Sequence, residues 1–246
     1  MADKNRTRQP ANRAGRPRNR AADRAAASLS RQRGVSTNTK LTVGLLAVLL
    51  VGLGALFFFV DRSDEGAVDG NLVAADSHRL ASTEGDQVAL VEFLDFECPA
   101  CAQVFPAVEQ LRTEYDGQIT YVPRQFPLSS HPNAENAARA AEAAGVQGQF
   151  EQMYVLLFEN QPQWRGAGGD QTETFVGYAE QLGLDVEQFR ADLTSPEVTE
   201  RIREDRTAGQ EAGVTGTPTF FLNGERLDVP PTYDALKSAV DEALAE

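Results

Sequence analysis

Two cysteines occur in the 246 residues, three positions apart in Cys98-Pro99-Ala100-Cys101. Three chemistries use thiols at this spacing. Structural zinc needs four ligands, and the sequence adds only His78 and His131 as further soft donors. A purely structural disulfide would close so short a loop that it removes little denatured-state entropy, near the bottom of the ~0–5 kcal/mol range. Redox exchange needs one ionised thiol and a second within bonding reach. The pair lies where an apolar run gives way to a helical pattern, and a thiol at a helix N-terminus meets unsatisfied N–H groups and the positive end of the helix dipole. On that reading Cys98 is the nucleophile, Cys101 the resolving thiol, and Pro99 and Ala100 the intervening residues of a redox motif; no metal and no cofactor beyond the pair is expected.

Glu92 interrupts the apolar run six residues before Cys98. A carboxylate in a buried strand is costly unless paired or functional. Beneath the cysteines its pKa should rise, letting it exchange a proton with Cys101; the alternative is a Glu paired or turned to solvent on an exposed strand face. Gly216-Thr217-Pro218-Thr219 precedes a hairpin, and by residue type alone reads as an ordinary turn, because most X–Pro bonds are trans. His131, in Ser129-Ser130-His131-Pro132, reads as a capping or surface residue ahead of a helix. Trp164, beside the glycine-rich Gly166-Ala167-Gly168-Gly169, either packs on the helical segment or lines a substrate face.

The elements that must position these residues follow from periodicity. Residues 87–96 (QVALVEFLDF) form a nearly continuous apolar run with β-branched and aromatic members, the pattern of a strand buried on both faces. Cys101, Val104, Phe105, Val108 and Leu111 then fall at helical spacing, closed by Tyr115-Asp116-Gly117. Residues 119–126 read as a second strand, giving a parallel, right-handed βαβ unit. Residues 133–213 show helical signals and no strand alternation, including a Ser195 N-cap followed by Pro196. Thr219 to Leu222 and Glu225 to Leu227 flank Asn223-Gly224, a strong hairpin signal. Thr232 to Leu244 reads as an amphipathic helix with Tyr233, Leu236, Val240 and Leu244 on one stripe. Leu72-Val73 and Arg79-Leu80 are read as a small leading hairpin.

Charge is distributed unevenly. Residues 1–40 carry 11 of the 23 Lys and Arg but only two of the 36 acids, so a basic arm precedes an acidic remainder. The arm lacks aromatics and is expected to be disordered and cytoplasmic. Leu41 to Val60 is a run of 20 uncharged, largely apolar residues, long enough to span a bilayer core of roughly 30 Å as one helix. The residues after it match a signal-peptide cleavage site poorly, and basic residues before the span predict an exported C-terminal domain. Residues 61–71 read as a polar tether and 72–246 as the folded domain. Its acidity argues against nucleic acid as a partner.

The stretch Val91-Glu92-Phe93-Leu94-Asp95-Phe96-Glu97-Cys98-Pro99-Ala100-Cys101, then Phe126-Pro127-Leu128 with His131-Pro132, a helical insertion at about 131–213, and Gly216-Thr217-Pro218-Thr219-Phe220, resembles the DsbA-like family of extracytoplasmic thiol:disulfide oxidoreductases, most of all its membrane-anchored actinobacterial type. The resemblance implies a thioredoxin-like α/β fold with an all-helical insertion, here preceded by one transmembrane helix. It also implies a mixed disulfide formed through Cys98, Glu92 as the buried acid, and a cis Pro218 beside the cysteines, leaving the Thr217 backbone to pair with an extended substrate segment. Partners would be cysteine-containing exported proteins and a membrane quinone-linked partner that re-oxidises the pair. Strongly oxidising members carry His where this chain has Ala100, which implies a less acidic Cys98 and a weaker oxidant. Oxidation of substrate thiols is the leading expectation, because an exported site permits disulfides. A reductase or isomerase, or a carrier of Cu(I) or another soft metal, are the alternatives; the carrier lacks a methionine cluster, the methionines being Met1 and Met153.

Overall fold

The computed structural model describes residues 72–246. The basic arm (1–40), the apolar span (41–60) and the tether (61–71) expected from the sequence lie outside the described residues. Among the described residues no helix is long and apolar enough to cross a membrane.

A mixed sheet carries the site. Strand β1 (Ala89–Leu94) leads into helix α1 (Pro99–Glu114), which returns the chain to β2 (Thr120–Gln125). β1 and β2 pair in parallel with Val91 opposite Val122. β3 (Thr219–Leu222) runs antiparallel to β1 on its other side, and β4 (Glu225–Arg226) completes the order β2-β1-β3-β4. The hairpin turn has both central residues at positive φ, Asn223 at 51° and Gly224 at 83°, as an Asn-Gly turn between twisted strands requires. The last helix of the chain runs from Tyr233 to Leu244 behind its Thr232 cap; Leu236 and Val240 are buried while Leu244 is exposed, so the expected stripe frays at its end.

Every residue of β1 is buried, because both faces of the sheet are covered. Strand alternation sends Leu90, Glu92 and Leu94 to one face and Val91 and Phe93 to the other. On the first, Leu90 and Leu94 join Cys101, Val104, Val108 and Leu111 of α1, with Tyr121, Tyr154, Leu236 and Val240. Each such aliphatic side chain contributes about 1.5–3 kcal/mol by leaving water. On the second, Val91, Phe93, Val122, Phe126 and Phe221 form a separate cluster.

Between β2 and β3 the chain is helical throughout, as its periodicity predicts: α2 (Ala134–Val146), α3 (Phe150–Glu159), the short α4 (Gln161–Trp164), α5 (Thr172–Gln181), α6 (Val186–Asp192) and α7 (Pro196–Glu211); the C-terminal helix is α8. Ser195 caps α7 by accepting from the Val198 N–H at 3.2 Å. Helix α7 lies against the second face of the sheet, and Gly209 permits that closeness: a Cβ there would stand 2.8 Å from Phe126 and 2.9 Å from Phe93. Beneath it the buried Arg124 of β2 donates to Asp205 of α7 at 2.5 Å.

The leading hairpin does not form. Leu72 instead packs into the second cluster, and the Leu80 N–H donates to the Tyr121 carbonyl at 3.0 Å while Ala81 bridges Tyr121. The physical reason is the open edge of β2: its unpaired backbone groups recruit Leu80 and Ala81, a long-range pairing that local pattern cannot reveal.

Candidate functional site

Cys98 is the N-cap of α1, with extended backbone (φ −68°, ψ 124°) and Pro99 at the first helical position. Proline suits that position because its missing N–H is one that the helix leaves unpaired. Cys98 and Cys101 are free cysteines, both buried. Cys98 keeps a 6% exposed edge and Cys101 has none, while Pro99 and Ala100 stand exposed above them. The Thr217–Pro218 peptide bond is cis, as the family resemblance implies. Cys98 Sγ lies 3.3 Å from the Thr217 carbonyl oxygen, to which the thiol form donates.

The two sulfurs differ strongly. The Cys98 thiol is drawn from the ordinary 9.0 to about 5, first by a hydrogen bond from the Cys101 thiol and, against the cost of burial, by the Thr217 side chain and the N–H groups of Cys101 and Ala100. Burial pushes the Cys101 thiol well up, and its bond to Cys98 and the charge of Glu92 add to the shift. A thiolate thus sits at the rim with a protonated thiol beneath it. The helix terminus contributes as the sequence suggests, yet the principal donor is the partner cysteine.

Glu92 is 2% exposed and faces the cysteine side of the sheet, which rules out the solvent-turned alternative. Burial raises its carboxyl to about 8; the Tyr121 hydroxyl, donating at 2.5 Å, opposes that rise and the Cys98 charge reinforces it. The sequence-predicted residues Glu92, Cys98, Pro99, Ala100, Cys101, Thr217 and Pro218 therefore come together on one end of β1 and its neighbours.

His131 and Trp164 do not join them. Trp164 is fully buried inside the helical segment, edge-on to Phe175 at 5.2 Å, with its Nε1–H donating to the Leu157 carbonyl. His131 Nδ1 lies 2.6 Å from Asp95 Oδ2. Asp95 also accepts from the N–H groups of Glu97 at 2.7 Å and Leu128 at 2.9 Å, so it ties the approach to Cys98 to the loop after β2. Burial raises the Asp95 carboxyl above its ordinary value against these bonds.

Sequence reasoning missed the supporting ring. The buried Glu97 accepts from Asn133 N at 2.5 Å and Gly166 N at 2.8 Å, and Gln161 Nε2 donates to the carbonyls of Phe96 at 2.8 Å and Cys98 at 2.9 Å. The helical segment thereby clamps the start of α1. A sequence signal existed for the acids, since Glu92, Asp95 and Glu97 crowd a run that should be apolar. None existed for Gln161 or Tyr121. Among the described residues no group of three or more His, Cys, Asp or Glu is placed to hold a metal ion.

The family profile described as Thioredoxin matches residues 83–242. The chain belongs to the thioredoxin family. It is similar to a thioredoxin-like oxidoreductase from Silicibacter pomeroyi, with 30% identity, a TM-score of 0.59, and coverage of 72% of this chain and 98% of that one. The fold is also that of the thiol-disulfide exchange protein α-DsbA2 from Wolbachia pipientis, at 22% identity and TM-score 0.60 over 74% of this chain and 95% of that one. Family and fold thus agree with the thioredoxin-like architecture that the resemblance implies. A protein of Salinispora arenicola named Na(+)/H(+) antiporter NhaA 1 is 42% identical over 183 residues, 74% of this chain; the chain spans 27% of the length of that relative.

Proposed function

We propose that this oxidoreductase is a disulfide donor to cysteine-containing exported proteins, held at the membrane by residues 41–60 with residues 72–246 outside the cytoplasm. The observation that carries the direction is Cys98 at the N-terminus of α1 with the Cys101 thiol beside it, an arrangement that draws the Cys98 thiol to about 5. A pair whose reduced form is held as a thiolate is easier to reduce, and so passes its disulfide on more readily. The value falls between ~7 for thioredoxin and ~3.5 for strongly oxidising DsbA. Relative to thioredoxin at ~−270 mV, the larger thiolate stabilisation at pH 7 is worth about 50 mV, placing this pair at about −220 mV.

The reaction uses the residues already assembled. A substrate thiolate attacks Cys98 Sγ; the Cys98–Cys101 bond breaks, its electron pair leaves on Cys101, and Glu92 supplies the proton that makes Cys101 a thiol. A second substrate thiolate then attacks the substrate sulfur bound to Cys98, forming the substrate disulfide and releasing Cys98 as a thiolate. Thr217 and Pro218, half-buried beside Cys98, offer main chain on which an extended substrate segment docks by strand addition. The Cys98–Cys101 pair is itself the redox group, and a quinone-linked membrane partner restores its disulfide.

Two measurements test this reading. Equilibration with glutathione should give a potential near −220 mV, and a value at or below ~−270 mV would reverse the direction to a reductant. With Cys101→Ser, mixed disulfides from Cys98 to exported proteins should accumulate; their absence, with stoichiometric copper binding by the wild type, would favour the carrier.

A further inference from the structure

Among the described residues, the Glu92 carboxyl has one hydrogen-bond donor, the Tyr121 hydroxyl at 2.5 Å. Tyr121 in turn meets the Tyr154 hydroxyl at 3.3 Å. Both tyrosines are fully buried, one on β2 and the other on α3, so two elements far apart in sequence converge on one carboxyl. The parallel register makes this possible. Leu90 is opposite Tyr121 and Glu92 opposite Pro123, so Tyr121 is a diagonal neighbour of Glu92 on the same face.

We infer that Tyr121, backed by Tyr154, is a positioning residue for the exchange reaction: it orients the Glu92 carboxyl and, by donating to the carboxylate, keeps this buried acid able to give up its proton to Cys101. The inference rests on the role of Glu92 proposed above. The alternative use of two buried hydroxyls is packing alone, with each satisfying the other. Geometry argues against it, because the shorter contact is the one to the carboxyl, and a charge-assisted hydrogen bond is the shorter and stronger kind.

Every element packed on this face bears on the balance. From α1 come Cys98, Cys101 and Glu109, and the charges of Cys98 and Glu109 oppose ionisation of Glu92. Arg112 of α1 faces the Tyr121 ring, its guanidinium carbon 5.8 Å from the ring centroid. β2 contributes Tyr121 and α3 contributes Tyr154, whereas β3 presents Phe220 and Leu222 and α8 presents Leu236 and Val240, all apolar. Arg112 is paired with Glu109 and Glu151, so Tyr121 is the group that favours the ionised acid. The phenols do not ionise in its place, since burial and the nearby Glu92 charge push both well above their ordinary range.

In the exchange step the proton moves from Glu92 Oε to Cys101 Sγ as the sulfur–sulfur bond breaks, and Tyr121 keeps its own proton while its hydrogen bond to the new carboxylate strengthens. Carboxyl ¹³C NMR on the full reduced chain, with Glu92→Gln to assign the resonance, reads this directly. The wild-type midpoint should lie at about 8. Tyr121→Phe should raise it by about one to two pH units, the worth of a hydrogen bond to a charged group, and Tyr154→Phe by roughly half a unit. The pH limb of the exchange rate assigned to Glu92 should move with it. A folded Tyr121→Phe protein whose midpoint stays within about 0.3 unit of wild type overturns the inference. If that variant does not fold, an unmoved midpoint in Tyr154→Phe overturns it instead. A wild type without exchange at any pH counts against the proposed function, while the carboxyl midpoints judge Tyr121 separately.

Discussion

Replacing Cys101 by Ala removes the thiol that does most to hold Cys98 as a thiolate, leaving Thr217 and the N–H groups of α1 in place. A hydrogen bond to a charged group is worth about 1.5–3 kcal/mol, and each pH unit about 1.4 kcal/mol, so the Cys98 midpoint should climb from about 5 to roughly 6–7. Alkylation by iodoacetamide across pH reads the midpoint, and two effects compete in the rate. A thiol of higher pKa is less ionised at low pH but intrinsically more nucleophilic, by about 0.4–0.5 log units per pKa unit. The variant should therefore react about two- to eightfold more slowly than wild type at pH 5 and about three- to tenfold faster on the alkaline plateau. The two curves must cross. In the wild type the same arithmetic makes Cys98 about ten- to twentyfold faster than an ordinary thiol at pH 6, with the fully buried Cys101 contributing little to the signal. Cys101→Ser, which keeps a donor, should fall between wild type and the Ala variant. A Cys101→Ala midpoint still near 5 would assign the acidity to the helix terminus instead, and a wild-type midpoint near 9 would refute the electrostatic argument as a whole.

Glu92 and Asp205 give predictions on stability. The Glu92 carboxyl rises from 4.5 to about 8 on folding, so the folded protein binds the extra proton between those values; stability is fully present below pH 4.5 and is lost as pH rises through 8. Glu92→Gln removes that slope, and urea melts at pH 4.5 and 8 should show the variant gaining roughly 4 kcal/mol on wild type between the two; parallel pH curves would contradict it. Asp205→Ala leaves the buried Arg124 without the carboxylate that accepts from it at 2.5 Å. Urea denaturation should register a loss of about 3–5 kcal/mol, and a loss below about 1 kcal/mol would mean that water reaches the guanidinium.

How much could be read before folding is visible residue by residue. The helix beginning at Cys98, the buried strand before it, the Asn223-Gly224 turn and the Ser195 cap are all local, set by side-chain period, turn chemistry or a hydrogen bond spanning three residues. Leu72 to Leu80 failed the same treatment, because an alternation of apolar residues does not say which strand edge they will join. The resemblance carried Thr217 and Pro218 to the site, where residue types alone gave an ordinary turn. Ala100 set the expectation of a Cys98 less acidic than that of strongly oxidising members; how far below the ordinary 9.0 its thiol falls depends first on the hydrogen bond from the Cys101 thiol, which the spacing alone leaves unspecified.

Residue types and their order establish which atoms can do chemistry here: two thiols at helix-start spacing, one carboxyl in an apolar strand, and a fold order able to carry them. Tertiary structure alone decided how acidic each group is, because acidity depends on what surrounds it. Tyr121 reaches Glu92 through a strand register, Gln161 reaches the Cys98 carbonyl from a helix 63 positions away, and Thr217 reaches Cys98 Sγ across 119. Contacts over such separations are selected by the packing of the whole domain, which no local pattern encodes.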